Sequence, residues 1–245
     1  MMNAIGRNNI WFSYKGHKNS EYGLEMLSMP TRPQPARKGE LVDVPGRDGK
    51  LFLDENAYDR VLVTMQVIAP GRRMDDIRAW LTGDGALVFG DAPNRAYRAR
   101  VTKEFGISHR NARLDGQEFM ITFDCEPYRY AYPAPEAIAI AASGATINNP
   151  GTAYARPEIT IQGSGDVTII VNGTQIDIDG LETGAVIDCE LMECFNADKS
   201  QLINQKCTMD DFPVLQPGAN IITWSAADGA AVTGVTISAP RWRYL

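Results

Sequence analysis

Beyond residue 157 the chain is a succession of short apolar runs, each halted by glycine. Glu158–Gln162 (EITIQ), Asp166–Asn172 (DVTIIVN), Thr174–Ile178 (TQIDI), Ala185–Cys189 (AVIDC), Asn220–Trp224 (NIITW) and Val232–Ile237 (VTGVTI) are rich in β-branched residues. Gly163-Ser164-Gly165, Asn172-Gly173, Asp179-Gly180, Pro217-Gly218 and Asp228-Gly229 separate them. Branched side chains suit the pleated surface of a sheet, and glycine enters the positive-φ region without a steric penalty. No helical period runs through the region. This half of the chain therefore predicts an antiparallel β-sandwich.

The first half is also mainly β, with one change of period. Asn9–Tyr14 (NIWFSY), Tyr58–Ile68 (YDRVLVTMQVI), Ala86–Gly90 (ALVFG), Ala96–Phe105 (AYRARVTKEF) and Glu118–Cys125 (EFMITFDC) read as strands. In the last, Phe119, Ile121 and Phe123 alternate with Glu118, Met120, Thr122 and Asp124, which buries one face. Arg72–Leu81 (RRMDDIRAWL) instead spaces Met74, Ile77, Trp80 and Leu81 as one face of a helix. Asp75 and Asp76 fall in its first turn, where the helix dipole favours anions, and Thr82-Gly83-Asp84-Gly85 stops it. Trp80 reads as the anchor of that helix on a sheet. Glu126-Pro127-Tyr128 closes the first domain, residues 1–133. The stretch from about Ala131 to Gly151 reads as a linker with one strand, and residues 134–245 form the second domain.

Leu41–Leu53 (LVDVPGRDGKLFL) stands apart. Two apolar runs flank Pro45, Gly46, Arg47, Asp48, Gly49 and Lys50. Proline removes a backbone donor, so no central strand passes through Pro45. Asp48-Gly49 is a favoured hairpin pair. The segment reads as a hairpin with a charged tip, entered by an extended stretch containing Pro30, Pro33, Pro35, Arg32, Arg37 and Lys38. A hairpin of this kind is either ordinary surface or an arm that reaches a neighbour.

The formal charge of −6 over 245 residues hides an asymmetry. Residues 1–133 carry 19 Lys and Arg against 17 Asp and Glu; residues 134–245 carry 5 against 13. Arginine outnumbers lysine 14 to 5 in the first part. Its planar guanidinium suits protein interfaces, and the acidic second part argues against wrapping nucleic acid. No apolar run is long enough for a membrane helix. The amino-terminal residues lack the pattern of a secretory signal, so synthesis and folding in a cytoplasm are expected. Cys125, Cys189, Cys194 and Cys207 have no CxxC spacing, and neither histidine is near them. Buried free thiols are expected, with a disulfide among the last three left open.

Little in the sequence points to catalysis. There is no GxSxG elbow, P-loop or GxGxxG, and His17 and His109 sit in polar, loop-like contexts without a placed partner. No catalytic residue, metal or cofactor is expected. Asp188 with Glu190, and Asp177 with Asp179, are carboxylates two apart, a spacing that either solvates a strand face or resembles a glycosidase pair. Trp224 and Asn220 share a strand face and are candidate glycan contacts. Trp224 in the core is the competing reading.

Taken in order, several blocks resemble the distal tail protein family of long, non-contractile-tailed bacteriophages. They are Val44-Pro45-Gly46-Arg47-Asp48-Gly49, the helix ending Ala79-Trp80-Leu81-Thr82-Gly83, Phe123-Asp124-Cys125-Glu126-Pro127-Tyr128, and Pro240-Arg241-Trp242-Arg243. Asn148-Asn149-Pro150-Gly151, Arg156-Pro157-Glu158-Ile159 and Pro217–Trp224 add to the set. The resemblance implies an N-terminal β-rich, tail-tube-like domain with one α-helix and a C-terminal galectin-like antiparallel β-sandwich. It implies a homohexameric ring, or two such rings stacked as a dodecamer, at the virion tail tip. That ring joins the tail tube protein to a tail-associated hub or fibre protein and to receptor-binding components, with DNA only in transit. Pro45–Lys50 would then be an arm toward the next subunit. The alternative is a carbohydrate-binding host-adhesion protein acting through Trp224 and Asn220, and a third reading is a glycan hydrolase using Asp188 and Glu190.

Overall fold

The aromatic run near the amino terminus is buried as soon as it becomes a strand. In the computed structural model, which describes residues 10–106 and 116–245, β1 (Phe12–Tyr14) has no exposed residue. It pairs with β2 (His17–Lys18) on one side and β7 (Gly85–Phe89) on the other. The remaining strands of this region are β3 (Glu25–Met26), β4 (Arg37–Asp43), β5 (Lys50–Tyr58), β6 (Val61–Ala69), β8 (Arg95–Val101) and β9 (Gln117–Ala131). The main sheet runs β2-β1-β7-β8-β9-β6-β3, and β4-β5 is a separate ladder. The chain divides into two units, Met1–Tyr132 with Leu245 and Pro133–Tyr244.

Alternation explains the core of the first unit. Val61, Val63, Met65 and Val67 of β6 lie directly opposite Cys125, Phe123, Ile121 and Phe119 of β9, and all eight side chains are buried. Directly opposed side chains on one face are the pairs that stabilise a sheet. β9 runs six residues past Cys125, through Pro127, although Glu126-Pro127-Tyr128 reads in sequence as the end of the domain. Pro127 is tolerated because the β8 register slips between Tyr97↔Arg129 and Ala99↔Cys125, and the β6 ladder stops at Cys125. Neither of those two ladders needs the missing N–H there.

The helix is α1 (Met74–Leu81), preceded by a 3-10 turn at Gly71–Arg73. Met74, Ile77, Trp80 and Leu81 are its buried residues, as the spacing predicts. The Trp80 indole stacks on Tyr22 (ring centroids 4.3 Å) and on Phe12 (5.6 Å). Its Nε1 donates to the Tyr14 carbonyl oxygen at 2.9 Å. Trp80→Ala is expected to cost about 3–5 kcal/mol, since it empties a large site and removes the indole hydrogen bond. Chemical denaturation followed by circular dichroism measures it; Trp80→Phe, which keeps the stacking, should lose clearly less.

The second unit is built around β12 (Glu158–Val171). Its other strands are β10 (Ile138–Ile140), β11 (Ala145–Asn149), β13 (Thr174–Leu181), β14 (Gly184–Asp188), β15 (Glu193–Asn196), β16 (Cys207–Met209), β17 (Gly218–Ala226) and β18 (Ala231–Ala239). The first part of β12 pairs with β14 and β18, and the second part with β13 and β17. One strand thus belongs to both layers: β10-β18-β12-β14-β15, and β11-β17-β12-β13-β16. A strand that bends at a bulge and changes sheet makes a corner of a sandwich.

This corrects the sequence reading, which takes Gly163-Ser164-Gly165 as a turn between two strands. The glycines serve close approach instead. A Cβ on Gly163 would sit 2.2 Å from the Ala231 carbonyl oxygen, and Gly165 combines φ +79° with a Cβ position 2.5 Å from Ala230 Cβ. Ile159, Ile161, Val167, Ile169 and Val171 all face the core, so the inward parity survives the bend. The linker expected at Ala131–Gly151 holds two strands, β10 and β11, rather than one. Asn172-Gly173 is a two-residue hairpin turn with both residues at positive φ (51° and 91°), as the pair demands. Among the described residues no helix is long and apolar enough to cross a membrane.

Candidate functional site

The ladder of β4 and β5 lengthens the expected hairpin to Arg37–Tyr58. The tight turn is Val44–Arg47, closed by the Arg47 N–H to the Val44 carbonyl at 3.1 Å, with Pro45 and Gly46 at its centre. Gly46 stands at φ +79°. Proline followed by a positive-φ glycine is the signature of a type II turn, and that combination overrides Asp48-Gly49, which the sequence reading made the turn pair. Gly49 also lies at positive φ (74°), where it brings the chain back into β5.

The base of the hairpin is tied to the rest of the first unit by aromatic contacts. Arg37 lies over the Tyr58 ring (5.0 Å), Tyr58 meets Tyr128 edge-on (5.8 Å), and the Asp59 N–H donates to the Ala36 carbonyl at 2.9 Å. Arg37 also pairs with Asp54 at 3.1 Å, and Lys50 pairs with Asp43 across the tip at 3.1 Å. Phe52 lies over Gly39, where a Cβ would come within 2.5 Å of the ring. Lys38 pairs with Asp59 at 3.8 Å, and the apolar side chains of the ladder stand exposed. Leu41 is 59% exposed, Leu53 50% and Phe52 43%, and Val44 at the turn is exposed as well. Leu41 and Phe52 share one face; Leu53 and Val42 share the other. Among the described residues neither β4 nor β5 pairs with another strand, so each presents an open edge. The Arg47 side chain is exposed at the tip and makes no ion pair among the described residues.

Two open edges and apolar side chains on both faces form a surface suited to strand addition. An isolated two-stranded hairpin is marginal in water, and an unpaired edge is a template for strand addition. The arrangement offers main-chain hydrogen bonds along its length, apolar contact on both faces, and cations at the tip. It carries no group arranged for catalysis.

In the second unit the candidate glycan pair comes apart. Asn220 is fully buried, and its amide is satisfied internally. Nδ2 donates to the carbonyls of Gln216 (2.9 Å) and Gly218 (2.8 Å). Oδ1 accepts from Asn172 Nδ2 (2.6 Å) and from the Gln216 N–H (2.7 Å). Asn220 therefore fixes the turn into β17 and offers nothing to a ligand. Trp224 is half-buried on the same strand, and its backbone exchanges hydrogen bonds with Ser143 Oγ. A hollow of about 240 Å³ in this unit is lined by Glu182, Asn196, Asp198, Gln201 and Lys206 and includes neither residue.

The carboxylate pair is likewise committed elsewhere. The Asp188 side chain is 6% exposed and is gripped by Arg241 in two parallel bonds, 2.7 and 2.8 Å. Arg241 Nε lies 3.3 Å from Glu190, which also accepts from Arg243 Nη2 at 2.9 Å. Glu158 lies 3.6 Å from the same guanidinium. Burial alone would push the Asp188 carboxyl up; the Arg241 hydrogen bonds, with the backbone N–H groups of Leu191 and Glu190, reverse that and hold it at about 2. A carboxyl pinned in its ionised form cannot serve as a general acid, and its burial against Arg241 takes Asp188 off the solvated strand face that one sequence reading gave it. Sequence reasoning missed Arg241 and Arg243 as their partners. The available signal was that these are two of only five cations in a half with 13 carboxylates.

Of the remaining candidates, Asp177 accepts from Thr168 Oγ1 (2.6 Å) and Gln175 Nε2. Among the described residues no group of three or more His, Cys, Asp or Glu is placed to hold a metal ion. His17 is exposed beside Glu21 at 2.9 Å, and His109 lies outside the described residues. All four cysteines are free, with Cys125, Cys189 and Cys194 buried and Cys207 half-buried.

No family model matches the sequence, and no curated protein matches it. Solved structures do match the fold. The crystal structure of the SPP1 Dit protein, described as a paradigm of the hub adsorption apparatus in phages that infect Gram-positive bacteria, superposes with a TM-score of 0.69. The alignment covers 92% of this chain and 96% of that one at 15% identity. A chain of the phage P2 baseplate in its activated, calcium-containing conformation gives a TM-score of 0.46 at 9% identity, over 87% and 89% of the two chains. The fold of this chain, mainly β with one helix and a C-terminal antiparallel sandwich, is that of the SPP1 Dit protein.

Proposed function

We propose that this chain is a structural hub of a phage tail tip. Six copies close a ring that joins the tail tube to the adsorption apparatus and leaves a channel for DNA. The single observation that carries the reading is the β4-β5 arm, which has two open edges and exposed Leu41, Phe52 and Leu53. A ring needs heterologous contacts, one patch meeting a different patch on the next copy. Strand addition by an arm supplies such a contact and tolerates sequence change, because the backbone makes it. The nearly neutral first half lets copies pack without strong self-repulsion. A fold shared over almost the whole length with a phage hub protein supports the same reading.

On this reading the function is mechanical and non-catalytic, and its seat is the virion tail tip after synthesis in the host cytoplasm. Its partners are other copies, the tail tube protein, a tail-associated hub or fibre protein and receptor-binding components. The second unit is the galectin-like sandwich on the outside of the ring, where receptor-binding components attach. Negative-stain microscopy with light scattering on the purified protein tests it. Sixfold rings, single or stacked back to back, are expected; solitary particles at high concentration and in the presence of tube protein would refute it.

A further inference from the structure

Cys194 and Cys207 stand at the margins of different layers. Cys194 lies on β15, the last strand of one sheet, opposite Ile187; Cys207 opens β16, the last strand of the other, opposite Ile178. The chain between them is folded back by its own backbone. The Ile203 N–H donates to the Cys194 carbonyl at 2.8 Å, and the Cys194 N–H donates to Asn204 Oδ1 at 2.6 Å. Phe195 bridges to Leu202, and the Lys206 N–H donates to the Ile203 carbonyl at 2.8 Å. These bonds bring the two side chains together, and the thiols hydrogen-bond each other. No other pair of cysteines is so joined. Cys194 is buried, whereas Cys207 is only half-buried.

The contact acts on the two thiols in opposite directions. The hydrogen bond from Cys194 favours the thiolate of Cys207 and lowers it, while the same contact, with burial, raises Cys194. Burial pushes Cys125 and Cys189 up to about 12, which leaves both unreactive.

We propose that Cys194 and Cys207 are an oxidation site, a dithiol that closes to a disulfide on meeting a small disulfide oxidant and so fastens the edge of one sheet to the edge of the other. With oxidised glutathione, the Cys207 thiol loses its proton to solvent and its sulfur attacks the oxidant. A Cys207–glutathione bond forms, and one glutathione thiolate leaves and is protonated. Cys194 then gives up its proton and attacks Cys207 Sγ; the Sγ–Sγ bond forms and the second glutathione departs as the thiol. Two protein thiols are oxidised by two electrons, and one oxidised glutathione becomes two glutathione molecules. Such a staple stays open in a reducing cytoplasm and closes outside the cell. Its effect is on the unfolded chain, where it removes the freedom of the loop between the two residues.

Full-length protein held in oxidised glutathione, then alkylated and weighed intact, tests the proposal. The expected result, with both samples alkylated in denaturant, is two alkyl groups fewer than the reduced protein carries, a bond mapped to Cys194 and Cys207, and an unfolding midpoint roughly 5–10 °C above that of the reduced protein. Cys207→Ser and Cys194→Ser should each abolish both changes, and Cys125→Ser should abolish neither. The comparison of oxidised with reduced wild type needs no variant to fold. Unchanged mass, a glutathione adduct that persists on Cys207, or a bond mapped to Cys189 would overturn the proposal.

Discussion

Replacing Arg241 by alanine is expected to lower the unfolding midpoint of the second unit by more than about 10 °C. Asp188 is 4% exposed, and the variant removes both of its guanidinium bonds together with contacts to Glu190 and Glu158. Breaking a buried ion pair from one side costs about 3–5 kcal/mol, because the surviving charge keeps its desolvation penalty. For a unit of this size each kcal/mol is worth several degrees. Arg241→Lys should rescue only part, since an ammonium cannot make two parallel bonds to one carboxylate. Lys199→Ala, which removes a half-exposed partner of Glu158, should cost less than about 1 kcal/mol. The same site sets an acid limit. The Asp188 carboxyl stands at about 2 in the fold, below an unfolded value of about 3.9. Its contribution is therefore complete above about pH 4 and is lost as pH falls toward 2, some 2.5 kcal/mol in all. Urea titrations between pH 5 and 2 should show a slope in wild type that Asp188→Asn flattens. An equal slope in both would remove Asp188 as its source.

Excising the arm is expected to abolish assembly while leaving the protomer folded. The register Glu40↔Leu53 allows Leu41–Phe52 to be replaced by Asn-Gly, which closes the shortened hairpin in a two-residue turn. The deleted segment contributes nothing to the buried core, whose members in this region begin again at Val61. The anchors at the base, Arg37, Tyr58 and Tyr128, are retained. The unfolding midpoint should thus stay within about 3 °C of wild type, as for other changes that touch no packed side chain. By contrast, the loss of Leu41, Val44, Phe52 and both open edges should convert rings to monomers at every concentration accessible to light scattering. Arg47→Ala with Asp48→Ala should weaken assembly and flatten its salt dependence without abolishing it, because tip charges steer register more than they hold area. Rings that survive excision with unchanged stability would assign ring closure to another surface.

The arm and the sandwich were legible in the sequence for different reasons. The arm shows as apolar runs around Pro45-Gly46, because proline and glycine constrain the backbone locally. Its turn was misassigned because two glycine pairs compete within six residues, and only the ladder register chooses between them. Trp80 was legible as an anchor because helical spacing alone puts Met74, Ile77, Trp80 and Leu81 on one side. Asn220 and Asp188 were not legible as structural groups, since alternation gives a residue's face but not whether its polar atoms find partners.

The amino-acid pattern by itself determined that both halves are β, where the helix lies, and that one hairpin carries a constrained, charged tip. Those properties are local: they follow from period, branching and backbone freedom within a few residues. Tertiary structure alone decided that β12 serves two layers, that Pro127 lies inside a strand, that Arg241 holds Asp188 across 53 positions of sequence, and that Cys194 meets Cys207. Each of these depends on which distant segments share space, and burial strengthens or forbids a charge only once that geometry exists.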